Sequence, residues 1–279
     1  MARTIAPENA MSLWQCPTGT KMHILNLGSL DVDEGWLLLG ANGGSSSNPN
    51  PTNKRRKLML IAGLLEHPTE GLILFETGSA EDVEKEWGAQ ATDMFPRTDY
   101  DVCHKLPEAI KSTGNDIKDV RAVIIGHLHM DHAGGLEHFF DTDVPIYVHE
   151  VEFQYACWAV ATKHEGGLFL LNWQTLNEAQ VNLFQGITLH HAPGHTPGLY
   201  AMQVNLENDG TWLWTTDQYH VRENYDLEHP HGWLIRDYKA WINSSRRLKS
   251  IQKRFQAKVI FGHDYDVADA FIKAKKYYD

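Results

Sequence analysis

Gly126-His127-Leu128-His129-Met130-Asp131-His132-Ala133-Gly134-Gly135 is the stretch that decides how this chain is read. It follows directly on Arg121–Gly126, where Ala122, Val123, Ile124 and Ile125 form the unbroken apolar run of a buried strand. Four metal-binding side chains are therefore crowded into six positions at a strand's exit. By counting, such a pattern arises in roughly three of a thousand chains of this composition. From an extended segment, His127 and His129 can point the same way. Asp131 and His132 then aim at a neighbouring point as the chain turns into a helix expected from about Ala133. The small residues after them let the backbone pack closely.

Composition agrees with a metal protein. There are 16 histidines in 279 residues, well above ordinary usage, and histidine is the commonest metal ligand. Hydrophobic residues make up 42% and charged residues 22%, which is globular composition at a length suited to one large domain over 1–279. No run of about 18 apolar residues suggests a membrane helix. Met1 to Gln15 lacks the apolar stretch of a signal peptide, so a cytoplasmic protein is expected. Cys16, Cys103 and Cys157 are scattered, which indicates neither a disulfide framework nor a thiolate zinc site. The charge balance, 25 − 36 = −11, argues against a nucleic-acid partner. The basic cluster Lys54-Arg55-Arg56-Lys57 closes a Gly/Ser/Asn/Pro stretch, and the two read together as a flexible insertion at about 42–57.

Strands are expected at Met22–Leu27, Trp36–Leu39, Leu58–Glu66 and Gly71–Glu76, the last two joined as a hairpin through His67–Gly71. A short helix is expected at Cys103–Ser112. The second half repeats the grammar with strands at Ile187–Ala192, Leu199–Val204, Trp212–Thr216 and Lys258–Phe261. Between the last two lies an amphipathic helix, Asp237–Phe255, with Tyr238, Trp241, Ile242, Leu248, Ile251 and Phe255 on one face. The pattern predicts two sheets sandwiched between helices.

The decisive segment resembles the ligand motif of the metallo-β-lactamase superfamily, and that family's further motifs follow in order. Ala192-Pro193-Gly194-His195-Thr196-Pro197-Gly198 supplies His195, Thr215-Thr216-Asp217 supplies Asp217, and Phe261-Gly262-His263-Asp264 supplies His263, each at an expected strand end. Phe75-Glu76-Thr77-Gly78 fits a fourth motif, with Glu where the family has Asp. The resemblance runs from about Leu58 to the C-terminus. It implies an α/β (α+β) fold, the αββα sandwich of two mixed β-sheets between helices. It also implies a pair of metals: His127, His129 and His195 on one, Asp131, His132 and His263 on the other, and Asp217 bridging. Nitrogen and oxygen ligands suit Zn2+ and leave Fe, Mn, Co and Ni open.

Within the superfamily, Asp217-Gln218-Tyr219-His220-Val221-Arg222-Glu223-Asn224-Tyr225 is similar to the D-x-x-Y-x-x-E-N-(F/Y) register of the N-acyl homoserine lactone lactonases. The tyrosine position holds His220, with Tyr219 one place earlier. Both are candidate catalytic residues, and the register favours His220 as hydrogen-bond donor to the substrate carbonyl. Glyoxalase II enzymes share the ligands but carry a further C-terminal helical domain, and only Asp264–Asp279 follows the last ligand here. The resemblance thus implies a hydrolase that opens a lactone ring by attack of a metal-bridging hydroxide on the ester carbonyl. Asp131 would shuttle a proton to the leaving oxygen. Trp87, Met94 and Phe95 are the candidates for an acyl-chain groove. A glyoxalase II-like thioesterase, a lactonase for another lactone and a non-catalytic metal-binding protein are the alternatives; a homodimer stays open. Of the remaining histidines, His190 reads as packing or support, and His229 and His231 as a surface loop around Pro230. His104, His149 and His164 read as structural.

Overall fold

The structure of the protein, a computed structural model, describes residues 14–161 and 170–279. His164 lies outside the described residues. The first sheet holds β1 (Lys21–Asp33), β2 (Arg55–His67), β3 (Gly71–Phe75), β4 (Arg97–Asp99), β5 (Val120–Ile124), β6 (Pro145–His149) and β7 (Asn172–Leu176). Its spatial order is β4-β1-β2-β3-β5-β6-β7, antiparallel as far as β3 and parallel from β3 to β7. The second sheet holds β8 (Gln180–Phe184), β9 (Ile187–His191), β10 (Tyr200–Asn205), β11 (Thr211–Trp214) and β12 (Lys258–Ile260). Its order is β12-β11-β10-β9-β8, with only β11 and β12 parallel.

Alternation along the strands decides the layering. On β2, Met59, Ile61 and Leu65 face the second sheet, while Leu58, Leu60, Ala62 and Leu64 face helices on the outer side. On the second sheet, Tyr200, Met202, Val204, Trp212 and Trp214 meet them. Ala201 and Leu213 point the other way, onto Trp241 and Leu248 of the helix Tyr238–Phe255. The central strands of both sheets are buried on both faces, so they read as apolar runs, and the architecture is the expected two mixed sheets between helices.

Several local expectations change. Trp36–Leu39 is not a strand: the chain forms a short helix at Glu34–Leu37, and the Asp33 side chain accepts from Gly35 N–H at 2.8 Å as its cap. A four-residue apolar run carries no period, and the capping aspartate decides the outcome. The turn after the histidine motif comes earlier than expected, as a helix at Met130–Ala133 followed by a 3-10 segment, Gly134–Phe139. β2 begins inside the expected insertion, with Arg55, Arg56 and Lys57 paired to Asp33, Val32 and Asp31 of β1. These three cations meet Asp31, Glu223 and Asp99 respectively, so three of the four charges of the basic cluster are paired locally. The hairpin stands as expected, closing at His67–Gly71. No described helix is long and apolar enough to cross a membrane.

Candidate metal centre

The site forms where strand ends from both sheets converge. Gly126 is the hub, because its N–H donates to Glu76 Oε1 at 3.2 Å and its carbonyl accepts from Tyr200 N–H at 2.8 Å. A Cβ there would stand 2.5 Å from that Glu76 oxygen, so only glycine fits. The chain then delivers His127 and His129. The amides of His132 and Ala133 donate to the His129 carbonyl, and this turn swings Asp131 and His132 to an adjacent point. From the second sheet, His195 comes from the loop between β9 and β10, Asp217 from the turn after β11, and His263 from the end of β12. A Cβ on Gly262 would meet Asp217 Oδ1 at 2.3 Å, so the last strand also ends in an obligatory glycine.

Asp217 is buried at the centre and its two oxygens face different partners. Oδ2 lies 3.6 Å from His127 Nε2 and 3.4 Å from His195 Nε2. Oδ1 lies 3.3 Å from His132 Nε2 and 3.1 Å from His263 Nε2. His195 Nε2 and His129 Nδ1 are 2.9 Å apart, and His132 Nε2 and His263 Nε2 are 3.1 Å apart. Asp131 Oδ2 is 3.4 Å from His263 Nε2. The structure therefore brings all seven residues together. His127, His129, His195 and Asp217 form one group and Asp131, His132 and His263 another, with ligand atoms in each within 4.8 Å of one another.

The donor set fits divalent cations. His127 Nε2, His195 Nδ1, Asp217 Oδ1 and Glu76 Oε2 are buried without a hydrogen-bond partner. Each such group costs about 1–3 kcal/mol if left unsatisfied. Burial pushes the imidazoles of His127 and His195 well below their usual range and that of His129 down to about 4, so all three present lone pairs. Burial opposes charge on His132 too, but Asp217, Asp131 and Glu76 outweigh it and hold that ring well above its usual range. Burial likewise opposes charge on Asp217, yet His263, His132 and His220 keep its carboxyl well below the usual range. The pocket calls for positive charge.

His220 is brought to the cluster, its Nε2 3.1 Å from Asp217 Oδ2. Tyr219 is not. Its hydroxyl meets Ser245 at 2.8 Å (Oγ) and 3.2 Å (carbonyl), and its ring packs among Trp241, Tyr225 and Phe261. Tyr219 is extended, and neighbours on an extended backbone project to opposite sides. Trp87 is likewise corrected from groove wall to core: it is only 9% exposed and packed on the helical side of the first sheet. Phe95 packs edge-on to Trp36, and Met94 is half-buried beside it.

Other histidines separate by contact. His229 turns to the Leu39 carbonyl, His190 pairs with Gln203, His104 caps the Asp101 amide, and His149 stacks on His191. His231 was expected in a surface loop. It is instead fully buried, its ring 4.0 Å from His220, with Nε2 directed at the Gln218 carbonyl. No spacing rule marks it; the only cue is that its loop returns to the centre within 14 residues of Asp217 (231 − 217).

The metallo-beta-lactamase superfamily profile matches residues 62–263. N-acyl homoserine lactonase AiiB of Agrobacterium fabrum is 24% identical over 273 residues, covering 92% of this chain and 98% of its own. N-acyl homoserine lactonase of Bacillus sp is 30% identical over 203 residues, covering 71% and 78%. The crystal structure of a B. thuringiensis AiiA mutant with N-decanoyl-L-homoserine at its active site superposes with a TM-score of 0.73 at 26% identity, covering 90% of this chain and 95% of that one. With the fold, the ordered motifs and these likenesses in agreement, the chain belongs to the metallo-beta-lactamase superfamily, on the branch that holds the N-acyl homoserine lactonases.

Proposed function

We propose that this protein hydrolyses the ester bond of N-acyl homoserine lactones. The observation that carries the reading is Asp217, buried between two ligand groups with one oxygen toward each. His127, His129 and His195 with Asp217 Oδ2 would hold one divalent ion. Asp131, His132 and His263 with Oδ1 would hold the second. Zinc is the ion that this nitrogen and carboxylate set suits best. When bound, such ions supply Lewis acidity and a water acidified toward neutral pH.

The chain's own groups position the rest. His220 is buried against the cluster, where its ring N–H donates to the lactone carbonyl oxygen. His129 and Asp131 are the two half-exposed members of the seven, so they mark the open side on which substrate enters. As the water's oxygen bonds to the acyl carbon and the acyl–oxygen bond breaks, Asp131 takes the water's proton and passes it to the ring oxygen, which leaves as the homoserine hydroxyl. Burial of the remaining ligands keeps bulk water from competing for these hydrogen bonds. Met94 and Phe95 remain the candidates for contact with the acyl chain, at about 0.8 kcal/mol per buried CH₂. The cytoplasm is its proposed compartment, on the strength of three unpaired cysteines.

Turnover of a panel of lactones, thioesters, β-lactams and phosphodiesters tests the reading. Homoserine lactones should be the fastest class. A far higher kcat/KM for S-lactoylglutathione would transfer the chain to the thioesterase reading. Elemental analysis should give two ions per chain.

A further inference from the structure

The first ligand group is carried on two separate loops, and one buried carboxylate ties them. Glu152 stands in the first turn of the helix Glu150–Ala161, which follows β6, and is 1% exposed. The N–H of Leu128 donates to its Oε1 at 3.0 Å, and the N–H of Gly198 donates to its Oε2 at 2.9 Å. Leu128 is the residue between His127 and His129. Gly198 lies three residues beyond His195, on the same turn. Each oxygen of one buried carboxyl group is thus committed to a different ligand-bearing loop, and the two bonds oppose the rise that burial imposes on its pKa.

The approach is as close as a backbone allows. A Cβ on Gly198 would stand 2.3 Å from Glu152 N and 2.5 Å from Glu152 Cβ. The second ligand group is held by other means: Glu76 Oε2 lies 3.5 Å from His132 Nδ1, and His263 Nδ1 lies 3.1 Å from the Met59 carbonyl. Neither of the two amides that Glu152 holds lies on the Asp131–His132 turn or beside His263.

We propose that Glu152 is the positioning residue of the first metal position, setting the spacing of His127 and His129 against His195 and thereby the affinity of that position alone. The proposal rests on the metal assignment made above. Glu152→Gln keeps the volume but turns one oxygen into an NH₂ that faces an N–H. Removing a partner that orients a ligand typically costs about 10–100-fold in metal affinity. Titrated with a competing chelator, Glu152→Gln should therefore give up one ion at about 10–100-fold lower chelator than wild type. The other ion should leave where it does in wild type.

A variant that keeps both ions at wild-type affinity, or loses both in parallel, overturns the proposal. A wild type that never holds two ions overturns the metal assignment instead, so the two failures are distinguishable. Should the variant not fold, wild-type protein answers by hydrogen exchange. The amides of Leu128 and Gly198 should be protected, and to the same degree, because they end on one carboxylate. If they exchange as freely as the exposed loop Gly43–Asn53, the brace is absent and the proposal falls.

Discussion

The two ligand groups share Asp217 but differ in how they carry charge. Around His127, His129 and His195 the ligands are imidazoles kept neutral by burial. Around His132 and His263 the carboxylates outweigh burial, and both rings are held above their usual range. The second group can therefore balance its carboxylates with protons when no ion is bound. The first group sets three neutral imidazoles beside one oxygen of Asp217. Asp217 is the one ligand that faces both groups.

Asp217→Asn strikes both halves and should have the largest effect. An amide cannot offer a charged oxygen to each side, so both ions should be lost and kcat/KM should fall at least ~10³-fold, the upper end for one electrostatic group. Elemental analysis with steady-state kinetics checks it; a variant retaining one ion would mean that one of the halves does not need Asp217. His129→Ala and His263→Ala should each leave one ion bound, in opposite halves. If both variants release the same ion, the grouping drawn here is wrong.

His220→Ala should slow kcat by about 10²–10³ with both ions retained, the usual cost of one lost donor to a developing oxyanion. His220→Tyr should recover much of that. Tyr219→Phe should leave kcat unchanged and cost about 1 kcal/mol of stability, through the lost bond to Ser245. A crippled Tyr219→Phe beside a silent His220→Ala would reverse the roles.

The smallest effect concerns histidines away from the centre. Burial pushes His149 and His190 down to about 4. An unfolded chain takes up those protons near 6.5. The unfolded state therefore binds more protons between the two values, and stability should decline as pH falls from ~6.5 to about 4. His190→Gln should flatten that decline in urea melts across this range; an unchanged slope would show that His190 plays no part in it.

Much of the fold was legible because the buried strands are long apolar runs bounded by turns, as in Leu58–Glu66 and Gly71–Glu76. The ligands were legible because chemistry demands particular residue types at strand exits. Less regular parts escaped. β7 is mostly exposed and polar along Asn172–Leu176, and the alternation of Val181 and Leu183 with Gln180 and Asn182 on β8 lasts too few residues to mark a strand. Glu152 sits among ordinary helical residues, and its importance comes from two amides that fold onto it from elsewhere. His231 was read as surface because a proline-flanked loop is usually exposed. Only the packing against His220 reverses that.

Strand exits of both sheets feed each ligand group, since His127, His129, Asp131 and His132 come from the first sheet and His195, Asp217 and His263 from the second. His127 and His263 are 136 residues apart along the chain (263 − 127). No short segment of nascent chain can assemble this centre, and an unfolded chain should hold the ions poorly. Each ion would then act as a rivet through the sandwich, tying folding to the supply of free metal. At a free concentration of 100 times Kd, one such ion adds about 2.7 kcal/mol to stability. The protein would accordingly persist longer in a metal-replete cell than in a starved one, even where no substrate is present.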